Sequence, residues 1–310
     1  MDLIFWVAFL LIIGGFLALD LGVFNKAAHI VPPREALIWT AVWVSLAVLF
    51  GLGVFLWQGA QVGVQWFTGY VIEYSLSVDN VFVFALVFAA FAVPRELQHR
   101  VLFWGVLGAL VMRFGLILVG ASLIDTYHWI LYVFGAFLVF TGLRMALHHE
   151  DVEPRPEKNP LVRFAQRHMR VVPEFHGPRF VIPTAVGRAA TPLLLALIAV
   201  ETTDLIFAVD SIPAIFAVTT DPFIVFTSNA FAILGLRSLY FLLGGAADRF
   251  RYLKLGLAIV LIFVGGKMLL ADVFHVGPVP SLLVIVSILV AAIGASLVAD
   301  RRDGREPAAR

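Results

Sequence analysis

The stretch Glu201-Thr-Thr-Asp204-Leu-Ile-Phe-Ala-Val-Asp210-Ser-Ile-Pro213 decides the reading of this chain. It sets three carboxylates inside an apolar run that begins near Thr191 and ends near Val218. A run of that length can cross a bilayer, which takes about 20 apolar residues in a helix. A carboxylate in hydrocarbon is costly, so three of them call for partners or a water-filled cavity, and they mark a functional site. A second stretch, Glu73-Tyr-Ser-Leu-Ser-Val-Asp79-Asn80-Val-Phe, repeats the design: Glu73 precedes Asp79 by the same interval as Asp204 precedes Asp210.

Outward from these two stretches the chain is apolar almost throughout. It has 310 residues, 61% hydrophobic and 14% charged, more apolar surface than a soluble core of this size needs. The composition indicates a polytopic membrane protein of the all-α class, a transmembrane helical bundle with nine expected spans. These lie at about 3–23, 36–57, 64–91, 98–122, 128–147, 191–217, 223–244, 253–271 and 280–299. Leu3–Leu19 has no basic residues ahead of it and no clear cleavage site after it, so it is expected to be a retained span. With no cysteine in the chain, disulfide, iron–sulfur and thiolate-metal chemistry are excluded.

Basic residues divide the loops into two sets. Of the 22 Lys and Arg, 18 fall after spans 1, 3, 5, 7 and 9, and none falls in the alternate loops. The positive-inside rule then expects the N-terminus outside and the C-terminus in the cytoplasm. The remaining four, Arg113, Arg144, Arg237 and Lys267, lie within spans. The one sizeable loop, 148–190, is rich in Pro, Arg and Glu and is expected to be cytoplasmic. In it Asn159-Pro160 predicts a helix start. Leu161, Phe164, Ala165 and Met169 are then placed toward a membrane surface, with Arg163, Arg167 and Arg170 at headgroup level. Glu174–Val181 reads as a turn or small hairpin around His176-Gly177-Pro178.

The two acidic stretches open two similar three-span units. Asp79 matches Asp210. Arg113 of span 4 matches Arg237 of span 7, and each precedes a glycine (Gly120, Gly244) by the same interval. Phe140-Thr-Gly142-Leu-Arg144-Met145 matches Phe263-Val-Gly265-Gly-Lys267-Met268. Spans 3–5 therefore echo spans 6–8, with opposite topology, as in transporters built from inverted repeats around a midplane site. The expected organisation is 1–62, peripheral spans 1–2; 63–147, repeat 1; 148–190, the loop; 191–272, repeat 2; 273–299, span 9; and 300–310, a cytoplasmic tail.

Oxygen ligands dominate the expected site: carboxylates of Glu73, Asp79, Glu201, Asp204 and Asp210, with Asn80, Ser211 and Asn229 nearby and Asp20 as a vestibule residue. Hard oxygen donors suit Mg²⁺, Ca²⁺ and Mn²⁺. Arg113 and Arg237 are expected as counter-ions or gate latches. Pro213 denies an N–H to the Val209 carbonyl, so span 6 is expected to bend or break there. If spans 3 and 6 cross antiparallel about a pseudo-two-fold axis, Glu73 is expected to approach Asp210, and Asp79 to approach Asp204. Crowded buried carboxylates do not all stay charged when empty, so arrival of a metal displaces protons and proton coupling is natural.

At these residues the chain resembles the TerC family of integral membrane proteins. The resemblance rests on Glu73-x5-Asp79-Asn80 and on Glu201 through Asp210-Ser-Ile-Pro-Ala-Ile-Phe. Thr227-Ser-Asn229-Ala-Phe-Ala-Ile-Leu-Gly-Leu-Arg237-Ser-Leu-Tyr-Phe, Leu19-Asp20-Leu21-Gly-Val-Phe and Pro33-Arg-Glu-Ala-Leu also fit. It implies manganese export across the bacterial inner membrane through the five acids. Mn²⁺ is then the transported substrate, with no resident cofactor and no enzymatic activity. The expected partners are the metal ion, protons and the lipid bilayer, with a protein partner at loop 148–190 and no nucleic acid. The family name comes from tellurite resistance, and the alternative expectation is a membrane scaffold or assembly factor for metal loading or tellurite resistance. An intramembrane aspartyl protease fits poorly, because five acids exceed what a dyad needs.

Overall fold

The computed structural model describes residues 3–19, 31–147, 159–184, 187–243, 252–273 and 276–302. Among them the chain forms α1 (Leu3–Leu19), α2 (Pro33–Gln58), α3 (Ala60–Ala90), α4 (Arg95–Thr126), α5 (Ile130–Leu147) and the short α6 (Pro160–His168). A hairpin of β1 (Val181–Thr184) and β2 (Gly187–Ala190) follows. The chain continues as α7 (Pro192–Phe216), α8 (Pro222–Leu243), α9 (Leu253–Leu269) and α10 (Pro278–Arg302). The protein is an all-α polytopic membrane protein. Seven helices are long and apolar enough to cross a membrane. α1 and α9, at 17 residues each, sit at the short end of that range.

Local chemistry sets the boundaries. Five of the helices open on proline, whose missing N–H costs nothing in a first turn. Gly59, at φ +93°, makes the corner between α2 and α3, a conformation that a Cβ disfavours. Asp221 caps α8, its Oδ1 accepting from the Phe223 amide at 2.8 Å. Asn159 caps α6 as predicted, accepting from the Leu161 amide at 2.9 Å.

Four helices form the centre: α3, α4, α7 and α8 pack on one another. α8 is the innermost, with every residue from Phe223 to Leu236 buried, as befits a helix apolar all round. α5 and α9 pack along each other, α2 covers α8 and α3, and α10 covers α3 and α9. Trp6 and Phe9 of α1 reach the ring layer of Phe223 and Phe226. Outward faces carry bare apolar side chains such as Leu56, Val111, Val119 and Phe140, which lipid would cover.

The directions of contact form a pattern. α3 runs parallel to α8: Trp66 Nε1 donates to Thr227 Oγ1 at 3.0 Å, Gly69 lies at Ser228, and Gly235 lies at Tyr74. α4 runs parallel to α7, with Gly105 at Val200, Gly108 at Glu201 and Gly120 at Phe216. α5 and α9 are antiparallel: Gly135 meets Gly265 and Gly142 meets Ala258, so steps forward on one are steps back on the other. Gly69 against Ile215 and Glu73 against Ser211 make α3 and α7 antiparallel.

In the 148–190 loop, α6 turns Val162 and Ala165 inward and leaves Leu161, Phe164 and Met169 exposed. Ala165 therefore packs against protein, contrary to its expected surface position, because it is one turn from Val162 on the buried stripe. The turn expected around His176-Gly177-Pro178 is present, and the hairpin follows it. Gly177 makes a turn at φ +56°, and the paired strands begin at Val181, where the sequence becomes extended and apolar.

Candidate functional site

The α3–α4–α7 contact encloses an ionic knot. Glu73 comes from α3, Arg113 from α4, and Asp204 and Ser211 from α7, and all four are buried. Arg113 Nε donates to Asp204 Oδ2 at 3.2 Å, and its Nη2 donates to Asp204 Oδ1 at 3.1 Å. Its Nη1 donates to Glu73 Oε1 and, at 3.1 Å, to Ser211 Oγ. One guanidinium thus clamps two carboxylates from different helices. Asp204 and Ser211 share a face of α7 because seven residues are close to two helical turns.

Glu73 does not meet Asp210 as the sequence predicted. The antiparallel register is right to within one residue, but Ser211 is the residue that faces Glu73. One residue is about 100° of helix rotation, which turns Asp210 out of the knot. Half-buried Asp210 instead lies beside Thr141 and Arg144 of α5. The side chain of Asp79, and with it the expected Asp79–Asp204 approach, lies outside the described residues, as do Asp20 and residues 148–158. α7 does not break at Pro213; it continues for another turn and ends at Phe216.

Other predicted residues are dispersed. Glu201 is half-buried on α7 and lies against Gly108 of α4, where any Cβ would collide with its carboxyl group. Asn229 is buried in α8. Arg237 is half-buried and lines a small cavity with Phe103, Val106 and Leu234. It is therefore not the symmetric equal of Arg113, which is fully buried in the knot. Among the described residues no three His, Asp or Glu side chains gather around one point. Nδ1 of His99, His128, His168 and His176 lies within hydrogen-bond distance of a backbone carbonyl. Sequence reasoning missed Gly108, Thr141 and Ser77. Gly108 and Thr141 matter only through a neighbour on another helix. Ser77 carried a readable signal, sitting one turn after Glu73.

A helical membrane bundle with a buried arginine–carboxylate knot at its centre defines a polytopic integral membrane protein with an ionisable interior. The model of the integral membrane protein TerC family matches residues 58–304, and this chain belongs to that family. It is 52% identical over 296 residues to "Uncharacterized membrane protein STKORF319" of Myxococcus xanthus, covering 96% of this chain and 92% of that protein. It is 49% identical over 295 residues to "Putative membrane-bound redox modulator Alx" of Escherichia coli K12, covering 92% and 91%. A membrane protein of Rickettsia bellii is 36% identical over 294 residues, covering 94% and 97%. No solved structure matches the chain.

Proposed function

We propose that this chain exports a divalent cation, Mn²⁺ foremost, across the bacterial inner membrane in exchange for protons. The observation that carries the reading is the pair Glu73 and Asp204, two buried carboxylates on different helices, tied by a single arginine. A buried ion pair is weak evidence for stability, since apolar packing of the same volume does as well. Its presence in hydrocarbon is better explained by a cationic cargo.

Arg113 stands where the cargo's charge belongs. It carries one positive charge against two carboxylates, so it holds them without matching them. A dehydrated divalent ion offers hard oxygens more charge in less volume, and it displaces the guanidinium from at least one carboxylate. Asp210 and Glu201, half-buried along α7, supply further oxygens on the route. Asp79, the mate of Asp210 in the other repeat, is assigned the same role.

Inverted repeats formed by α3–α5 and α7–α9 give this site its two-sided access. The contact pattern supports them. Exchanging α3 with α7, α4 with α8 and α5 with α9 turns the parallel α3–α8 pair into the parallel α7–α4 pair. It also maps the antiparallel α3–α7 and α5–α9 pairs onto themselves. The N-terminus is placed outside and the C-terminus in the cytoplasm, on the distribution of basic loops.

A redox role, which the printed name of the Escherichia coli relative carries, has no thiol to work through here, because the chain has no cysteine. Metal content would link the two readings. The test is cellular manganese under manganese stress, with the wild-type chain, E73Q or D204N expressed. Export lowers cellular manganese only with the wild-type chain, and equal manganese in all three strains would refute it.

A further inference from the structure

Three buried oxygens on one face of α3 meet no hydrogen-bond partner among the described residues: Glu73 Oε2, Ser77 Oγ and Asn80 Oδ1. Steps of four and three residues align them on a single stripe. Ser77 departs from the habit of hydroxyls in this bundle. Thr68, Ser75, Ser228, Ser238 and Ser296 each donate to a carbonyl three or four residues back. Ser77 does not, although that resting place is the ordinary one for a helical serine.

An unsatisfied buried polar group costs about 1–3 kcal/mol, so three in a row form a site organised around something positive. Glu73 is divided between two roles. Its Oε1 accepts from Arg113, and its Oε2 belongs to the stripe. The register Gly69–Ile215 and Glu73–Ser211, carried along the two antiparallel helices, brings Asn80 level with Asp204.

We propose that Glu73 Oε2, Ser77 Oγ and Asn80 Oδ1 form a relay for a dehydrated divalent cation along α3, with Ser77 the step shared by its two neighbours. The inference rests on the export reading for its direction of use, but not for its binding chemistry. Glu73 and Asn80 are about 10 Å apart along the helix axis, too far to hold one small ion together. Glu73 with Ser77, and Ser77 with Asn80, are each within about one turn and can share it. The relay thus passes the ion from a charged oxygen to neutral ones. A hydroxyl and an amide oxygen are hard donors suited to Mn²⁺, Mg²⁺ or Ca²⁺.

The test is Mn²⁺ titration of the purified full-length protein, read by metal-dependent thermal stabilisation and by the spectrum of free Mn²⁺. S77A is expected to bind Mn²⁺ about tenfold more weakly, the loss of one oxygen ligand. N80L, which leaves the Glu73–Ser77 step intact, is expected to lose less. Neither variant should melt lower than wild type without metal, because neither oxygen has a partner to lose among the described residues. Unchanged affinity in S77A overturns the relay. So does a metal-free melting loss in both variants, which marks a structural role, and so does a wild-type protein that binds no divalent cation. Failure of the export reading shows separately. Binding that depends on Ser77, with no flux through membrane vesicles, leaves the Ser77 cation site standing and removes the exporter.

Discussion

Arg113 grips Asp204 with two parallel hydrogen bonds, Nε to Oδ2 at 3.2 Å and Nη2 to Oδ1 at 3.1 Å, in the heart of an apolar bundle. This fork needs a planar guanidinium, and a lysine cannot reproduce it. Because the third nitrogen reaches Glu73, removing Arg113 strands two buried carboxylates. R113M should lose about 3–5 kcal/mol of stability. R113K should fall between R113M and wild type. The neutral triple variant R113M/E73Q/D204N should recover most of the loss, since a buried ion network can be replaced by uncharged groups. Thermal unfolding in detergent reads all four.

The α5–α9 contact makes a sharp neighbouring-residue test. A Cβ on Gly265 would sit 2.6 Å from the Gly135 carbonyl oxygen, while Gly266 has open space. G265A should therefore force the two helices apart and lower both stability and metal flux. G266A, one residue away in the same helix, should leave flux unchanged and should not lower stability, since alanine in an unobstructed helix gains up to about 1 kcal/mol over glycine. Melting temperature and vesicle flux of the two variants check this.

Gly108 is predicted to matter for the site. Any side chain there displaces the Glu201 carboxyl group, whereas Gly115 of the same helix faces open space. G108A should cost little stability, because the group it displaces is the free end of a flexible side chain, but it should move that carboxyl and reduce metal flux. G115A should be neutral. Purified yield, melting temperature and flux separate the two.

The helices and the acids were legible in the sequence because lipid imposes long apolar runs and makes each buried charge conspicuous. Caps were legible too, since Asn159-Pro160 is chemistry local to one turn. The partners of the acids were not. Ser211 and Asp210 differ by one residue, yet about 100° of rotation sends one to Glu73 and the other to Thr141. Antiparallel register alone could not choose between them. The partner of Arg113 was equally hidden, because a long flexible side chain reaches neighbours that no spacing rule fixes. Gly108 reads as an ordinary apolar-helix glycine until Glu201 is seen against it.

Cysteine pairs test the register directly, since the native chain contains no cysteine. E73C/S211C should bridge readily with Cd²⁺ or a short cross-linker. E73C/D210C should bridge much less, because Asp210 turns toward α5. Equal bridging of the two pairs would mean that α7 is rotated from the orientation described.

The most direct test of the central claim is Mn²⁺ uptake into inside-out membrane vesicles carrying wild-type, E73Q or D204N protein, with an imposed proton gradient. Wild type should accumulate Mn²⁺ in a gradient-dependent way and either variant none above background, with all three inserted at equal levels. Accumulation by E73Q and D204N at the wild-type rate would contradict that claim.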